Sequence, residues 1–389
     1  MLAARTYYVY QAIGVFGLAC TFTTYAPFLL SLGLSLGEIS LLNAVFWLVA
    51  ILSELPTGML ADGKSRAWSL KMGSVFLMIG AIGYLFAQGF GIALISESFI
   101  GVGMAFFSGA EQAWITDALH REGKDHERRH VFATSAIVRS VAIVIGGLVG
   151  SLIALWNAQW IWIPLMITSP MTFFVTYKWM NGQGEPIHKM SEREALRASI
   201  SLLKKSRSLV WVILAMIVSG GIVAFNHFWS PYFKPFVGTL GLSWVWALIY
   251  FACALSGFWV RRLKISQGDE SKLILLALVF TGMGLMFAGF ATGLWVSLSA
   301  AILHEFGRGM FAPLVDSFVQ HRVESGFRAT FGSLQSFLCR IGLVITPLLI
   351  WLTIRNDPNT QSTIGFIWIL SGAFIVGGAA LLALVRPRN

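Results

Sequence analysis

Three small groups of ionisable residues stand inside long apolar stretches of this chain. Glu111 and Arg139 lie in consecutive stretches, Glu305 and Arg308 share another with His304 beside them, and Glu54 precedes Pro56 in a third. An ionised side chain at the centre of a hydrocarbon layer costs roughly 3 kcal/mol on insertion scales, so each needs a partner, a proton or a wet cavity. Counting about 1.5 Å per residue from the intervening connection brings Glu111 and Arg139 to a similar depth, which predicts an ion pair. Protonation of Glu111 would break or remake that pair; a purely structural pair that fixes packing is the alternative. Glu54 stands two turns, about 12 Å, from Asp62 on nearly the same helix face, and Pro56 frees a backbone carbonyl between them. It is the second candidate proton acceptor, with a hydrogen bond to a helix end as the alternative. Glu305 and Arg308, at i and i+3, can satisfy each other, so a proton site, a substrate anchor and a self-neutralising pair all stay open. His227, beside Asn226 and Trp229, faces a cavity or a packing interface. Asp117 and Asp316 sit close to helix ends and read as solvated or capping groups.

The elements that carry these residues follow from composition. Of 389 residues, 56% are hydrophobic and only 12% charged, with 28 Lys and Arg against 18 Asp and Glu. A soluble domain has about 25% charged residues, and a mean hydropathy of +0.73 leaves too little polar surface to face water. A soluble enzyme is excluded, as are a disordered chain and a disulfide scaffold: 30 Phe and 15 Trp are far too apolar for disorder, and the three cysteines lie in apolar runs. Runs of about 20 apolar residues, enough to cross a bilayer as helix, fall at 7–31, 38–61, 67–88, 91–119, 131–155, 158–179, 208–234, 241–260, 272–291, 294–320, 329–354 and 363–385. The expectation is an all-α polytopic membrane protein of twelve transmembrane helices. The first run is too long for a signal-peptide core and is read as the first helix.

Lys and Arg are concentrated on alternate connections. With the N-terminus inside, Lys64, Arg66, Lys71, Arg121, Lys124, Arg128, Arg129, Arg261, Arg262, Lys264, Arg322, Arg328, Arg386 and Arg388 all fall on the cytoplasmic side, with both termini. The excess of +10 is therefore a matter of topology and not of nucleic-acid binding. Short outer connections without Asn-x-Ser/Thr suit a bacterial inner membrane. The polar stretch Lys178 to Arg207 divides the chain into bundles at 1–179 and 208–389 joined by a cytoplasmic loop at 180–207. In that loop Ser191-Glu192-Arg193-Glu194 has the pattern of a capping box, followed by Leu196, Ile200 and Leu203 at helical spacing, which predicts a short amphipathic helix. The halves echo one another: Glu97-x-x-x-Gly101 against Glu305-x-x-x-Gly309, and Ser135-x-x-x-Arg139 against Ser336-x-x-x-Arg340. Two pseudo-symmetric six-helix bundles are the expected architecture.

Between the second and third runs, Gly58-Met59-Leu60-Ala61-Asp62-Gly63-Lys64-Ser65-Arg66 is similar to the loop signature of the major facilitator superfamily, and the chain resembles that family over its whole length. Gly63 stands where the family usually has a basic residue and Ser65 where it has a second Gly. The resemblance implies that Gly58, Asp62 and Arg66 form a conformational latch; in the second half only Gly257-x-x-x-Arg261 survives, without the acid. Gly146, Gly147 and Gly150 in the fifth run resemble a glycine-rich antiporter signature that lacks its proline, and Glu97 occupies the place of an Arg common in proton-coupled drug exporters. The family's fold lines its central cavity with helices 1, 4, 7 and 10, which makes Tyr25, Trp114 and Trp229 candidate wall residues alongside His227, Glu305 and Arg308. Such an aromatic wall with few fixed charges suits an amphipathic organic molecule better than a sugar.

The resemblance thus implies a poorly characterised, exporter-like branch: a transporter that exports a small amphipathic molecule in exchange for protons, with Glu111, Arg139 and Glu54 as the coupling residues. No P-loop and no ligand-spaced Cys, His or Glu set occurs in the sequence, so neither a metal nor another cofactor is expected, nor any enzymatic activity. A monomer in contact with membrane lipid is expected. The alternatives are a metabolite uniporter or importer without proton coupling, and a non-transporting receptor on the same scaffold.

Overall fold

Hydrocarbon offers a backbone no partner but itself, so an apolar run closes its hydrogen bonds internally as helix. The computed structural model describes residues 2–182, 201, 206–263, 269–323, 328–355, 357 and 360–387, and every regular element among them is helical. In chain order these are α1 (Leu2–Phe22), α2 (Tyr25–Ser31), α3 (Leu36–Gly63), α4 (Arg66–Leu85), α5 (Phe90–Phe107), α6 (Ala110–Arg121), α7 (Arg128–Trp156), α8 (Ile163–Val175), α9 (Arg207–Ser219), α10 (Val223–Arg262), α11 (Asp269–Phe290), α12 (Leu294–Arg322), α13 (Arg328–Ile354) and α14 (Gln361–Leu384). Among the described residues eight stretches are long and apolar enough to cross a membrane, or nine when α1 and α2, bent by 49°, count as one. The chain forms two compact units, one from residues 1–189 with Val237–Trp244 and one from 190–236 and 245–389. The loop motif Ser191–Glu194 and the apolar residues Leu196, Ile200 and Leu203 lie outside the described residues.

In the first unit α1 packs on α7 and α8, α4 on α5 and α8, and α3 on α5. Hydrophobicity cannot hold two helices together where lipid is equally apolar; close van der Waals approach over small residues does. A β-carbon on Gly150 would stand 1.7 Å from the Cys20 carbonyl oxygen, and one on Gly146 2.9 Å from that of Phe16. Thr23 Oγ1 donates to the Gly147 carbonyl at 3.0 Å and accepts from Ser151 Oγ at 2.9 Å. The glycine run of α7 therefore has a packing reason: it brings α7 onto α1. In the second unit α11 packs on α12 and α14, and α9 on α13 and α14, through similar contacts such as Gly284 on the His304 backbone.

The echo Glu97/Gly101 against Glu305/Gly309 has a physical counterpart. Glu97 and Glu305 are both buried. One turn later, a β-carbon on Gly101 would lie 3.0 Å from the Phe46 carbonyl of α3, and one on Gly309 2.1 Å from the Cys253 carbonyl of α10.

Several runs that read as continuous helices are interrupted. The run 7–31 bends between α1 and α2 beside Thr23, whose hydroxyl bonds across to α7. The run 91–119 breaks at Ser108–Gly109, where Gly109 takes a φ of +74°, a left-handed conformation that only glycine adopts without strain. The run 208–234 contains a 3₁₀ turn at Gly220–Ile222, and 158–179 opens with a 3₁₀ turn at Ala158–Trp162 and closes with a π turn at Thr176–Met180. Gly238, with φ 68° and ψ 178°, interrupts α10. Ser65, the departure from the loop signature, caps α4 by accepting from Trp68 N at 3.0 Å.

Replacing Gly150 by Val forces α7 away from α1. A lowered thermal unfolding midpoint in detergent is expected, reflecting the 1–3 kcal/mol or more, roughly, of an overpacked interior. Gly377→Val, where a β-carbon meets nothing within 4 Å, is expected to leave the midpoint near that of the parent; equal midpoints for both variants would refute the close-approach account.

Candidate functional site

The left-handed turn at Gly109 starts α6, and Glu111 falls in its first turn. Its Oε2 accepts from Gln11 Nε2 at 2.9 Å, and Gln11 Oε1 accepts from Arg139 NH1 at 2.9 Å. The guanidinium itself is 3.7 Å from the carboxylate, beyond good hydrogen-bond geometry. The predicted pair is thus brought together, with a buried amide wedged into it: its N–H side faces the anion and its carbonyl the cation. Tyr10 and Tyr7 complete the surroundings, Tyr10 against Glu111 and Tyr7 against Gln11 and Ser135. Arg139 keeps 47% of its side chain exposed and Glu111 21%, whereas Gln11 is 1% exposed. A proton on Glu111 would weaken the acceptor of Gln11 and remove the counter-charge of Arg139, so both bonds of the chain respond to one proton. Gln11 was not singled out from the sequence. Its signal there is a lone amide amid an apolar helix, one turn from Tyr7.

Glu54 is held separately. Ser108 Oγ, at the break between α5 and α6, donates to Glu54 Oε1 at 2.6 Å. The helix carries on through Pro56, so the group is a helix-end ligand of the break as well as a proton-acceptor candidate. Of the candidate latch residues, Gly58 is half-buried in α3, and Asp62 lies in the same helix with its side chain outside the described residues. Arg66 starts α4, and its guanidinium is attracted to Asp117 near the end of α6. Asp117, read from the sequence as a solvated or capping group, lies within the Coulomb field of Arg66, a candidate latch residue.

In the second unit Arg308 NH2 is 2.8 Å from Glu305 Oε2, the i, i+3 pair expected, and Arg308 NH1 donates to Asn226 Oδ1 at 3.0 Å. Cys253 touches both members of the pair. Glu305 is 2% exposed and Arg308 26%. His304 is fully buried, its Nδ1–H donating to the Thr281 carbonyl at 2.9 Å, with Phe225 packed on its ring. His227 is half-buried, with Nδ1 unpartnered among the described residues. Trp229 is buried and stacks on Trp246 at 5.4 Å.

Trp114 is corrected from a wall residue to a core residue. It is fully buried among Tyr7, Leu70, Ile115 and Val175, and its Nε1–H donates to the Met180 carbonyl at 3.0 Å. The break at Gly109 re-aims α6, so helical counting from α5 misplaces the indole. Tyr25 is half-buried and its hydroxyl lies 3.3 Å from that of Tyr84. Tyr84 donates to the buried Glu97 and stacks on Trp162. A further cluster was not foreseen: Glu270, at the start of α11, receives Arg322 NH1 at 2.8 Å, Ser317 Oγ at 3.1 Å and the ring of His321. Its signal was an acid at one helix start and a His-Arg pair at the end of the helix that follows. Among the described residues no group of three His, Cys, Asp or Glu is arranged to hold a metal ion.

Residues 9–347 match the sequence profile of the Major Facilitator Superfamily. Solved structures of similar fold include the nucleoside transporter NupG, with a TM-score of 0.76 and 15% identity over 100% of this chain and 100% of that one. A D-xylose–proton symporter gives a TM-score of 0.72 at 13% identity over 96% of each chain. The inward-open xylose transporter XylE from E. coli gives 0.72 at 12% identity, over 100% of this chain and 97% of that one. Comparison with curated proteins returns no match. At these identities the structures speak for the fold alone.

Gln11→Ala deletes two hydrogen bonds to charged groups; Glu111 at 21% exposure and Arg139 at 47% regain part of the loss from water, which leaves a total cost of about 1–3 kcal/mol. Its unfolding midpoint is expected to fall below that of the parent, and the loss should largely vanish in the Gln11→Ala, Glu111→Gln, Arg139→Gln triple variant relative to the double variant that keeps Gln11. Additive losses would rule out the wedge.

Proposed function

Because this chain belongs to the Major Facilitator Superfamily, and is therefore an integral membrane transporter of small molecules and not an enzyme, we propose that it exports an amphipathic organic molecule in exchange for protons, with Glu111 as the coupling carboxylate. The observation that carries the reading is the chain Glu111–Gln11–Arg139, in which one partly exposed carboxylate determines the bonding of a guanidinium in a neighbouring helix. Protonation changes the relative stability of two arrangements of that chain, which is what shifting a conformational population requires. Glu54 is the second coupling candidate, through its bond to the hinge-like break at Ser108. A D-xylose–proton symporter shares the fold, so proton coupling is compatible with this scaffold. Within the second unit, His227, next to the Asn226 that accepts from Arg308, supports an amphipathic substrate anchored by Glu305 and Arg308, whose pair is already neutral as a unit.

The proposed architecture is twelve spans in two six-helix bundles, at 1–179 and 208–389, joined by a loop at 180–207. Support comes from a second crossing within one of the nine apolar stretches among the described residues, and from two further helices. The stretch Arg207–Val260, with 54 residues, extends about 80 Å at 1.5 Å per residue, over twice a bilayer core of about 30 Å, and breaks at Gly238, which suits two crossings. The other two are α12, which carries Glu305, Arg308 and Asp316, and α13, with its apolar part Leu338–Ile354. The excess of Lys and Arg on alternate connections supports cytoplasmic termini, in a bacterial inner membrane, for a monomeric protein that latches through Gly58, Asp62 and Arg66.

The test is flux in liposomes that contain a pH-sensitive dye, challenged with lipophilic cations, neutral amphiphiles and organic anions. Wild type is expected to move protons when a substrate is added, and Glu111→Gln to lose at least roughly tenfold of that movement, about 1.4 kcal/mol of coupling, while keeping its unfolding midpoint. Proton movement in the variant equal to wild type would remove Glu111 from the mechanism. Silence of the folded wild type across the panel would overturn export of amphiphiles.

A further inference from the structure

At the end of α8 the chain winds through the π turn Thr176–Met180. Such turns are rare and recur where a helix presents side chains at a functional site. This one is firmly held. Thr176 and Met180 are fully buried, Thr176 Oγ1 donates to the Thr172 carbonyl at 2.8 Å, and the Met180 carbonyl accepts from Trp114 Nε1 at 3.0 Å. Just beyond, the Gly182 carbonyl accepts from Arg121 NH1 at 2.8 Å. The three residues between the buried anchors, Tyr177, Lys178 and Trp179, are all exposed.

Lys71 of α4 joins them: its Nζ lies 3.2 Å from Asn181 Oδ1 and 5.7 Å from the Tyr177 ring centroid. Lys178 Nζ stands 5.2 Å from the Trp179 ring centroid. Two ammonium groups thus rest on two exposed rings, and among the described residues neither has an acidic partner. The apolar span Ala158–Met180 ends here, at the level where hydrocarbon gives way to headgroups. Exposed Ile167, Met171 and Phe174 form an apolar stripe on α8 that runs up to this patch, as acyl chains attached to a headgroup would require. Aromatic residues alone would seat at any interface, but uncompensated cations select negatively charged lipid.

We propose that Lys71, Tyr177, Lys178 and Trp179 form a binding site for the headgroup of an anionic phospholipid, with the acyl chains along Ile167, Met171 and Phe174. The test uses the full chain in detergent with native mass spectrometry, titrating phosphatidylglycerol against phosphatidylcholine. Wild type is expected to retain phosphatidylglycerol at least about fivefold better. Each lysine near an anionic headgroup accounts for about a fivefold effect, so Lys71→Gln with Lys178→Gln should lower phosphatidylglycerol affinity about 25-fold. The Lys71→Arg, Lys178→Arg variant should keep it, and Arg129→Gln, an exposed cation elsewhere on the unit, should change it little. Equal retention of the two lipids by wild type would overturn the proposal. So would an undiminished preference in the folded double-glutamine variant, and so would displacement of the lipid by equimolar glycerol phosphate, which would mark a soluble-anion site.

Discussion

A charged group surrounded by hydrocarbon has no water to fall back on, and the way each buried charge is satisfied organises this molecule. Three solutions occur side by side. Glu111 and Arg139 are joined through the amide of Gln11, Glu305 and Arg308 pair within one helix, and Glu97 is held by a tyrosine hydroxyl. They differ in how readily they can change. An i, i+3 pair keeps its geometry as long as its helix survives, so Glu305–Arg308 moves as one neutral unit. The Glu111 chain spans α1, α6 and α7, so its bonds depend on how three helices sit together, and a proton at one end is felt at the other. That difference is why the proposed coupling role is given to Glu111 and the proposed anchoring role to Glu305 and Arg308.

Holding those helices in register falls to glycine. Gly146 and Gly150 let α7 approach α1 until backbone touches backbone, which brings Arg139 within reach of Gln11. Gly109 acts differently. Its positive φ ends α5 and re-aims α6, which sends Glu111 toward α1, buries Trp114 and lets Ser108 bind Glu54. A single residue type thus supplies both the close contact and the break, one because it lacks a β-carbon that would collide and the other because it lacks one that would strain the turn. The π turn at Thr176–Met180 departs from regular helix with its ends buried and Tyr177, Lys178 and Trp179 presented outward.

The polar clamps at the helix ends carry opposite polarity in the two units. In the first, the cation Arg66 begins α4 and the acid Asp117 lies near the end of α6. In the second, the acid Glu270 begins α11 and the cations His321 and Arg322 end α12. Each arrangement sets opposite charges at the start of one helix and near the end of a later one, and Coulomb attraction is indifferent to which partner carries which sign.

The residues by themselves determined the solvent, the helical class, the position of most helices within a few residues and the meeting of Glu111 with Arg139. These depend on hydropathy, on a rise of about 1.5 Å per residue and on the cost of an unpaired charge, all of which are local or additive. Only the tertiary structure decided that Gln11 stands between the pair, that Glu54 reaches Ser108 and that Trp114 belongs to the core. Each of these follows from a break, at Gly109 or at Thr23, whose direction is set by the neighbouring helix and not by the residues at the break. A helical wheel extrapolated across such a point loses its phase, and a side chain beyond it, such as Trp114, can be assigned to the wrong face. Glycine spacing announces that a close contact exists, but which backbone fills the space is known only once the helices are packed.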